Sequence, residues 1–246
     1  MRAISIIGFK NSGKSTLVAL LAGALERRGL RVAIAKHAHS GLDKPDTDSA
    51  RLCTPGRTVL ALSDGECALF YGEKRLLTDM LPLIQADILL VEGGKRLGWL
   101  PRILCLRTPD EAEADERERL DHGLAFAAWG RTAAPGLPYF PGGPGVEDAA
   151  LDALATLAQE KAFMLPGLDC SACGRENCAA LAVDIVAGKA DAKDCEALHS
   201  GVEVRINGQS LGLNAFAARV VAGALRGMLR EMKGFAPGEI TLKMRT

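Results

Sequence analysis

Two groups of residues in this chain are spaced for chemistry. The first is the run Gly8-Phe9-Lys10-Asn11-Ser12-Gly13-Lys14-Ser15, which fits G-x-x-x-x-G-K-[ST]. Glycines at its two ends let backbone N–H groups curl round phosphate oxygens, Lys14 offsets charge on the β and γ groups, and the Ser15 hydroxyl can ligate Mg2+. The second group is Cys170, Cys173, Cys178 and Cys195, spaced C-x2-C-x4-C-x16-C. Four thiolates suit a [4Fe-4S] cluster or a tetrahedral Zn2+. Zinc folds usually use two short C-x2-C knuckles, whereas the fourth cysteine here stands alone, which favours the cluster. Cys53, Cys67 and Cys105 lie in or beside apolar runs and are expected to be buried small hydrophobes.

The surrounding pattern has to place these groups. Apolar runs of strand length alternate with amphipathic stretches over the first two-thirds of the chain. Strands are predicted at 3–7, 31–37, 87–94, 102–107 and 124–129, with a hairpin-like pair at TVLALS and CALFYG. Helices are predicted at 14–29, near 75–85 and at 146–162, and the Pro- and Gly-rich 134–145 is read as a loop. Buried strands between helices imply an α/β fold, a mostly parallel sheet with helices on both faces. A boundary is expected at 164–169, giving a first domain over 1–163, a cysteine module over 164–200 and a C-terminal ββαβ segment over 201–246. That last segment is predicted as a hairpin turning at Asn207-Gly208, an amphipathic helix and a final strand EITLKM. Its helix carries Arg219, Arg226, Arg230 and Lys233, a pattern that reads more readily as a solvated face than as a docking surface.

The phosphate loop needs an acidic partner at the carboxyl end of a neighbouring strand, where open parallel sheets bind ligands. DILLVEGG supplies Glu92 there, a candidate to hold Mg2+ or its water. The loop after the second strand brings Lys36, His37, His39, Asp43, Asp46 and Asp48 to the same edge. It could form a segment sensing the γ-phosphate, with Asp48 near Mg2+ and Lys36 or His37 facing a second anionic ligand, or simply a solvated connection. There is no N-K-x-D stretch to read guanine, so the residues leave ATP and GTP open.

Thirty basic residues balance thirty acidic ones, so no global positive field draws the chain to nucleic acid or anionic lipid. The apolar run at the N-terminus is too short for a signal peptide or membrane span. Clustered cysteines in odd total number argue for reduced thiols, not a secreted disulfide framework, and a cytoplasmic location is expected.

The ordered motifs GFKNSGKST, AKHAHSGLDKPDTDSARL, ILLVEGGK and PRILCLR resemble the molybdopterin-guanine dinucleotide biosynthesis protein B family over roughly residues 1–160. The resemblance implies a P-loop GTPase fold, weak GTP hydrolysis, a homodimer and partnership with the molybdopterin guanylyltransferase. By position it implies that Gly8, Phe9, Lys10, Asn11, Ser12, Gly13, Lys14, Ser15 and Thr16 hold GTP and Mg2+. Asp48 and Glu92 would lie near the metal, with Lys36, His37 and Lys95 on the molybdopterin side. Gly94 departs from the family pattern, where a bulky residue is usual. The cysteine segment, with Gly174 after its second cysteine, resembles the iron–sulfur motif of corrinoid iron–sulfur proteins. The combined expectation is a GTP-binding accessory protein of molybdenum or tungsten pterin cofactor maturation with a [4Fe-4S] module and a client metalloenzyme. Two rival classes fit the same residues: a metallochaperone GTPase, and a nucleotide-gated redox or scaffold protein without turnover.

Overall fold

A computed structural model describes residues 1–38, 42, 46–143, 148–199, 204–206, 209–211, 213 and 215–236. Its centre is a six-stranded sheet in the order β2-β5-β1-β6-β7-β8. The strands are β1 (Arg2–Gly8), β2 (Val32–Lys36), β5 (Ile88–Glu92), β6 (Arg102–Leu106), β7 (Ala125–Gly130) and β8 (Tyr139–Pro141). Every neighbouring pair is parallel. From β1 the chain crosses to β2 on one side and later to β6 on the other, so the winding reverses beside β1. Such a reversal opens a crevice at the carboxyl ends of the strands.

Successive side chains of a strand face opposite ways, and the two buried layers follow that alternation. Ile4, Ile6, Ile88 and Leu90 pack under α1 (Lys14–Arg27) and α5 (Asp148–Lys161). Ala3, Leu89 and Val91 face the other way, towards Leu77 of the single-turn α3 (Leu77–Met80) and Leu81 of the 3-10 turn after it. Arg28, just past α1, ties the first layer together by donating to Thr156 Oγ1 at 3.0 Å and Gln159 Oε1 at 2.7 Å on α5.

Several expectations needed revision. The helix near 75–85 is only a turn, because Pro82 lacks the N–H to continue it and Leu81–Leu83 tightens into a 3-10 turn. The stretch 134–145 contains β8, which pairs with Ala128–Gly130. Two short helices were not foreseen: α2 (Asp48–Leu52), capped by Thr47 accepting from Ala50 N, and α4 (Ala114–Asp121). The hairpin β3 (Thr58–Leu62) and β4 (Cys67–Tyr71) forms as expected. Of the three isolated cysteines, Cys105 is buried, Cys53 is partly buried and Cys67 is exposed, beside its exposed hairpin partner Leu62.

The cysteine segment carries α6 (Cys178–Val186) and α7 (Glu196–His199). Beyond it, β9 (Val204–Ile206) pairs with β10 (Gln209–Leu211), and α8 spans Ala215–Arg230. The turn at Asn207-Gly208 and the strand EITLKM lie outside the described residues. No helix among those described is long and apolar enough to cross a membrane.

Candidate functional site

The phosphate loop leaves β1 at its carboxyl end and runs into α1. Asn11 (φ 62°) and Gly13 (φ 89°) take left-handed conformations that curl it. Glycine is also required for space: a Cβ on Gly8 would lie 2.6 Å from the Cys105 carbonyl oxygen, and one on Gly13 would lie 2.9 Å from the Trp129 ring. Trp129, at the end of β7, is therefore the floor of the loop. Lys14 Nζ donates back to the Phe9 carbonyl, so its ammonium lies inside the curl. Burial lowers the Lys14 pKa from its ordinary value, against raising contributions from Cys105 and Glu92. Ser12 Oγ is buried and has no hydrogen-bond partner among the described residues.

Glu92 ends β5 beside the loop. Ser15 Oγ donates to its Oε1 at 2.8 Å, and Lys36 Nζ, from the end of β2, lies 3.1 Å from Oε1 and 3.2 Å from Oε2. Three residues separated by up to 77 positions in sequence are thus joined at one strand edge. His37 follows, its N–H donating to the Glu92 carbonyl at 3.0 Å. Its ring lies over Gly94, where a Cβ would come within 3.2 Å of His37 Cδ2 and 2.8 Å of Leu97 Cδ1. The departure at Gly94 is therefore matched by the packing of His37 and Leu97. Lys95 sits over the Phe9 ring at 5.0 Å. Asp48 is placed differently: it opens α2, its carboxylate is 94% exposed, and it pairs with Arg51 at 3.7 Å. His39 and Asp43 lie outside the described residues.

The cysteine segment packs directly on this domain. Cys178 and Cys195 are buried in one apolar cluster with Leu124, Phe163, Leu165, Leu181 and Ala182, and Trp99 and Cys173 pack against it. The backbone from Gly167 to Gly174 turns through four left-handed residues, Gly167, Asp169, Ser171 and Gly174, which flank Cys170 and Cys173. Asp169 N donates to Cys178 Sγ at 3.4 Å, while Asp169 Oδ1 accepts from Cys178 N at 2.8 Å. Burial pushes the Cys178 and Cys195 thiols up, and backbone amides directed at both sulfurs pull the other way. Amides aimed at sulfur stabilise metal-bound thiolate. Among the described residues no three His, Cys, Asp or Glu side chains gather closely enough to hold a single ion.

The loop from Gly93 to Pro101 touches both the phosphate loop and the cysteine segment. Lys95 reaches the phosphate loop, Gly98 abuts Ala179 next to Cys178, and the Trp99 carbonyl accepts from Leu165 N at 3.4 Å. Arg102, 1% exposed, fixes this loop by donating to the Lys95 carbonyl at 2.8 Å and to the Leu120 carbonyl. Replacing Gly98 by valine places branched atoms where even a Cβ comes within 2.9 Å of Ala179 Cβ. A loss of about 1–3 kcal/mol is expected, typical of overpacking, together with faster labelling of Cys178 by a thiol reagent. An unchanged urea midpoint and labelling rate would show that the contact is not required.

Sequence reasoning missed Trp129, Arg102 and Asp169. Arg102 was detectable as the one charged residue in the strand RILCL, and Asp169 as the acid next to the first cysteine.

A parallel sheet whose winding reverses beside a glycine-rich phosphate loop is a P-loop NTPase-like fold. The chain belongs to the family described as "Molybdopterin guanine dinucleotide synthesis protein B", which matches residues 3–129. A second family, described as "Putative Fe-S cluster", matches residues 165–196. A Methanocaldococcus jannaschii protein named "Putative molybdopterin-guanine dinucleotide biosynthesis adapter protein" is 26% identical, covering 95% of this chain and 93% of its own length. The "Molybdopterin-guanine dinucleotide biosynthesis adapter protein" of Haemophilus influenzae is 32% identical over 112 residues, covering 42% of this chain and 62% of its own. The crystal structure of Bacillus subtilis MobB superposes with a TM-score of 0.49 at 22% identity, covering 63% of this chain and 97% of that one.

Proposed function

We propose that this protein is a GTP-binding adapter in molybdopterin-guanine dinucleotide synthesis that carries a [4Fe-4S] cluster. The observation that carries the nucleotide half is the 2.8 Å bond from Ser15 to Glu92, which joins the phosphate loop to the acid on the adjacent strand. In this reading Gly8–Thr16 cradle the phosphates and Lys14 balances their charge. The buried Ser12 hydroxyl, which has no partner among the described residues, gains one there. Ser15 and Glu92 would hold Mg2+, which when bound supplies charge stabilisation for slow hydrolysis of the γ-phosphate. Asp48 acts near the metal only if α2 approaches, since its carboxylate now pairs with Arg51. Lys36, His37 and Lys95 form a cationic rim suited to the phosphate of molybdopterin or of its nucleotide form. Cys170, Cys173, Cys178 and Cys195 would hold the cluster. Residues 1–163, 164–200 and 201–246 then act as nucleotide, cluster and accessory units of a cytoplasmic homodimer. Its partners are the molybdopterin guanylyltransferase and a molybdenum or tungsten client enzyme.

The test is guanylated pterin formation by the guanylyltransferase with this protein added. Stimulation that needs GTP and Mg2+ on this protein supports the reading. No stimulation, with GTP-gated transfer of metal to a metalloenzyme instead, would replace it with the metallochaperone class.

A further inference from the structure

Glu92 is positioned to serve two cations in turn. Lys36 and Glu92 are register partners on neighbouring parallel strands, so both side chains leave the same carboxyl edge. The Lys36 ammonium lies 3.1 and 3.2 Å from the two Glu92 oxygens and 3.5 Å from Ser15 Oγ. These are the same oxygens that the proposed function assigns to Mg2+. The carboxylate is held in place, 13% exposed, whereas the lysine side chain is 58% exposed and can leave. Ser15 now gives its proton to Glu92 and has to turn a lone pair outward to accept a metal. Mg2+ requires oxygens at about 2.0–2.1 Å in near-octahedral array. An ammonium bridging both oxygens occupies that position, and two cations so close repel.

We propose that Lys36 is a built-in substitute for the divalent ion, a positioning residue that neutralises Glu92 in the nucleotide-free protein and is displaced when Mg2+ enters. Metal and lysine then compete for one carboxylate. The displaced ammonium becomes available to an anion on the β2 side only after the metal-nucleotide has bound, which orders the two ligands. This inference rests on the assignment of Ser15 and Glu92 to the metal.

The experiment titrates Mg2+ into the full chain with saturating N-methylanthraniloyl-GTP and reads the midpoint by fluorescence in wild type, Lys36→Met and Lys36→Arg. Removing the competitor is expected to lower the Mg2+ midpoint of Lys36→Met about fivefold, the factor an ion pair between partly exposed groups is worth. Lys36→Arg keeps the charge and is expected to stay within about twofold of wild type. A Lys36→Met midpoint that is unchanged or raised overturns the competition while leaving the nucleotide site standing. A wild-type protein that binds no nucleotide at any Mg2+ concentration overturns both.

Discussion

Lys14→Ala is expected to weaken GTP binding about a hundredfold while leaving the fold intact. The lysine is the first residue of α1, and alanine is the best helix former, so the helix itself loses nothing. The ammonium donates to the Phe9 carbonyl, within the loop's own curl. With nucleotide bound it would exchange that neutral acceptor for phosphate oxygens. Hydrogen bonds to charged groups contribute about 1.5–3 kcal/mol each. Losing about 3 kcal/mol corresponds to a factor above a hundred in affinity. Calorimetric titration with Mg2+ present reads this directly, and thermal unfolding supplies a second readout, because ligand stabilises only the protein that binds it. Millimolar GTP should raise the melting temperature of wild type more than that of the variant. A variant that bound within threefold of wild type would remove Lys14, and with it the phosphate-loop mechanism, from the account.

The parts of the site that were legible in the sequence are those where local pattern and tertiary role coincide. Glu92 could be read because four buried aliphatics before it force a strand whose carboxyl end lies beside β1. The phosphate loop could be read because its glycines answer to backbone geometry as well as to ligand. What lay hidden depends on neighbours distant in sequence. β8 has three residues amid proline and glycine, and its pairing is supported by Trp129, whose ring leaves no room for a Cβ on Gly142. α4 is so strongly charged that no apolar stripe announces it, yet Leu120 is fully buried. The contact between Lys36 and Ser15 could not be inferred either, since spacing does not show whether a strand-end lysine turns towards ligand or carboxylate. Most of all, a domain boundary placed just before the cysteines gave no sign that their core includes Leu124 and packs against Trp99, from loops beside the preceding sheet. The cysteine unit is therefore packed onto the loop that follows Glu92, and Arg102 secures that loop from beneath.

That packing makes Cys178→Ser the sharpest test of the second half of the molecule. Serine is close in size, and its oxygen can still accept from Asp169 N, while Asn177 continues to cap α6 by accepting from Ala180 N at 2.9 Å. The fold should survive, and what is removed is one thiol of the proposed cluster set. Protein purified without oxygen is expected to carry about four irons and four acid-labile sulfides in wild type, and far fewer in the variant. Because a bound cluster adds its binding energy to folding, chelation should lower the wild-type melting temperature and leave the variant unaffected. The raised pKa of the buried thiols fixes the pH trend as well. Burial raises the Cys178 and Cys195 pKa from the ordinary thiol value, so assembly, which needs thiolates, is expected to release protons and to become more favourable as pH rises. One zinc per chain with no sulfide would discard the cluster and leave a structural clip. Equal iron in both proteins would show that Cys178 is not a ligand, and that its burial against Leu124 serves packing alone.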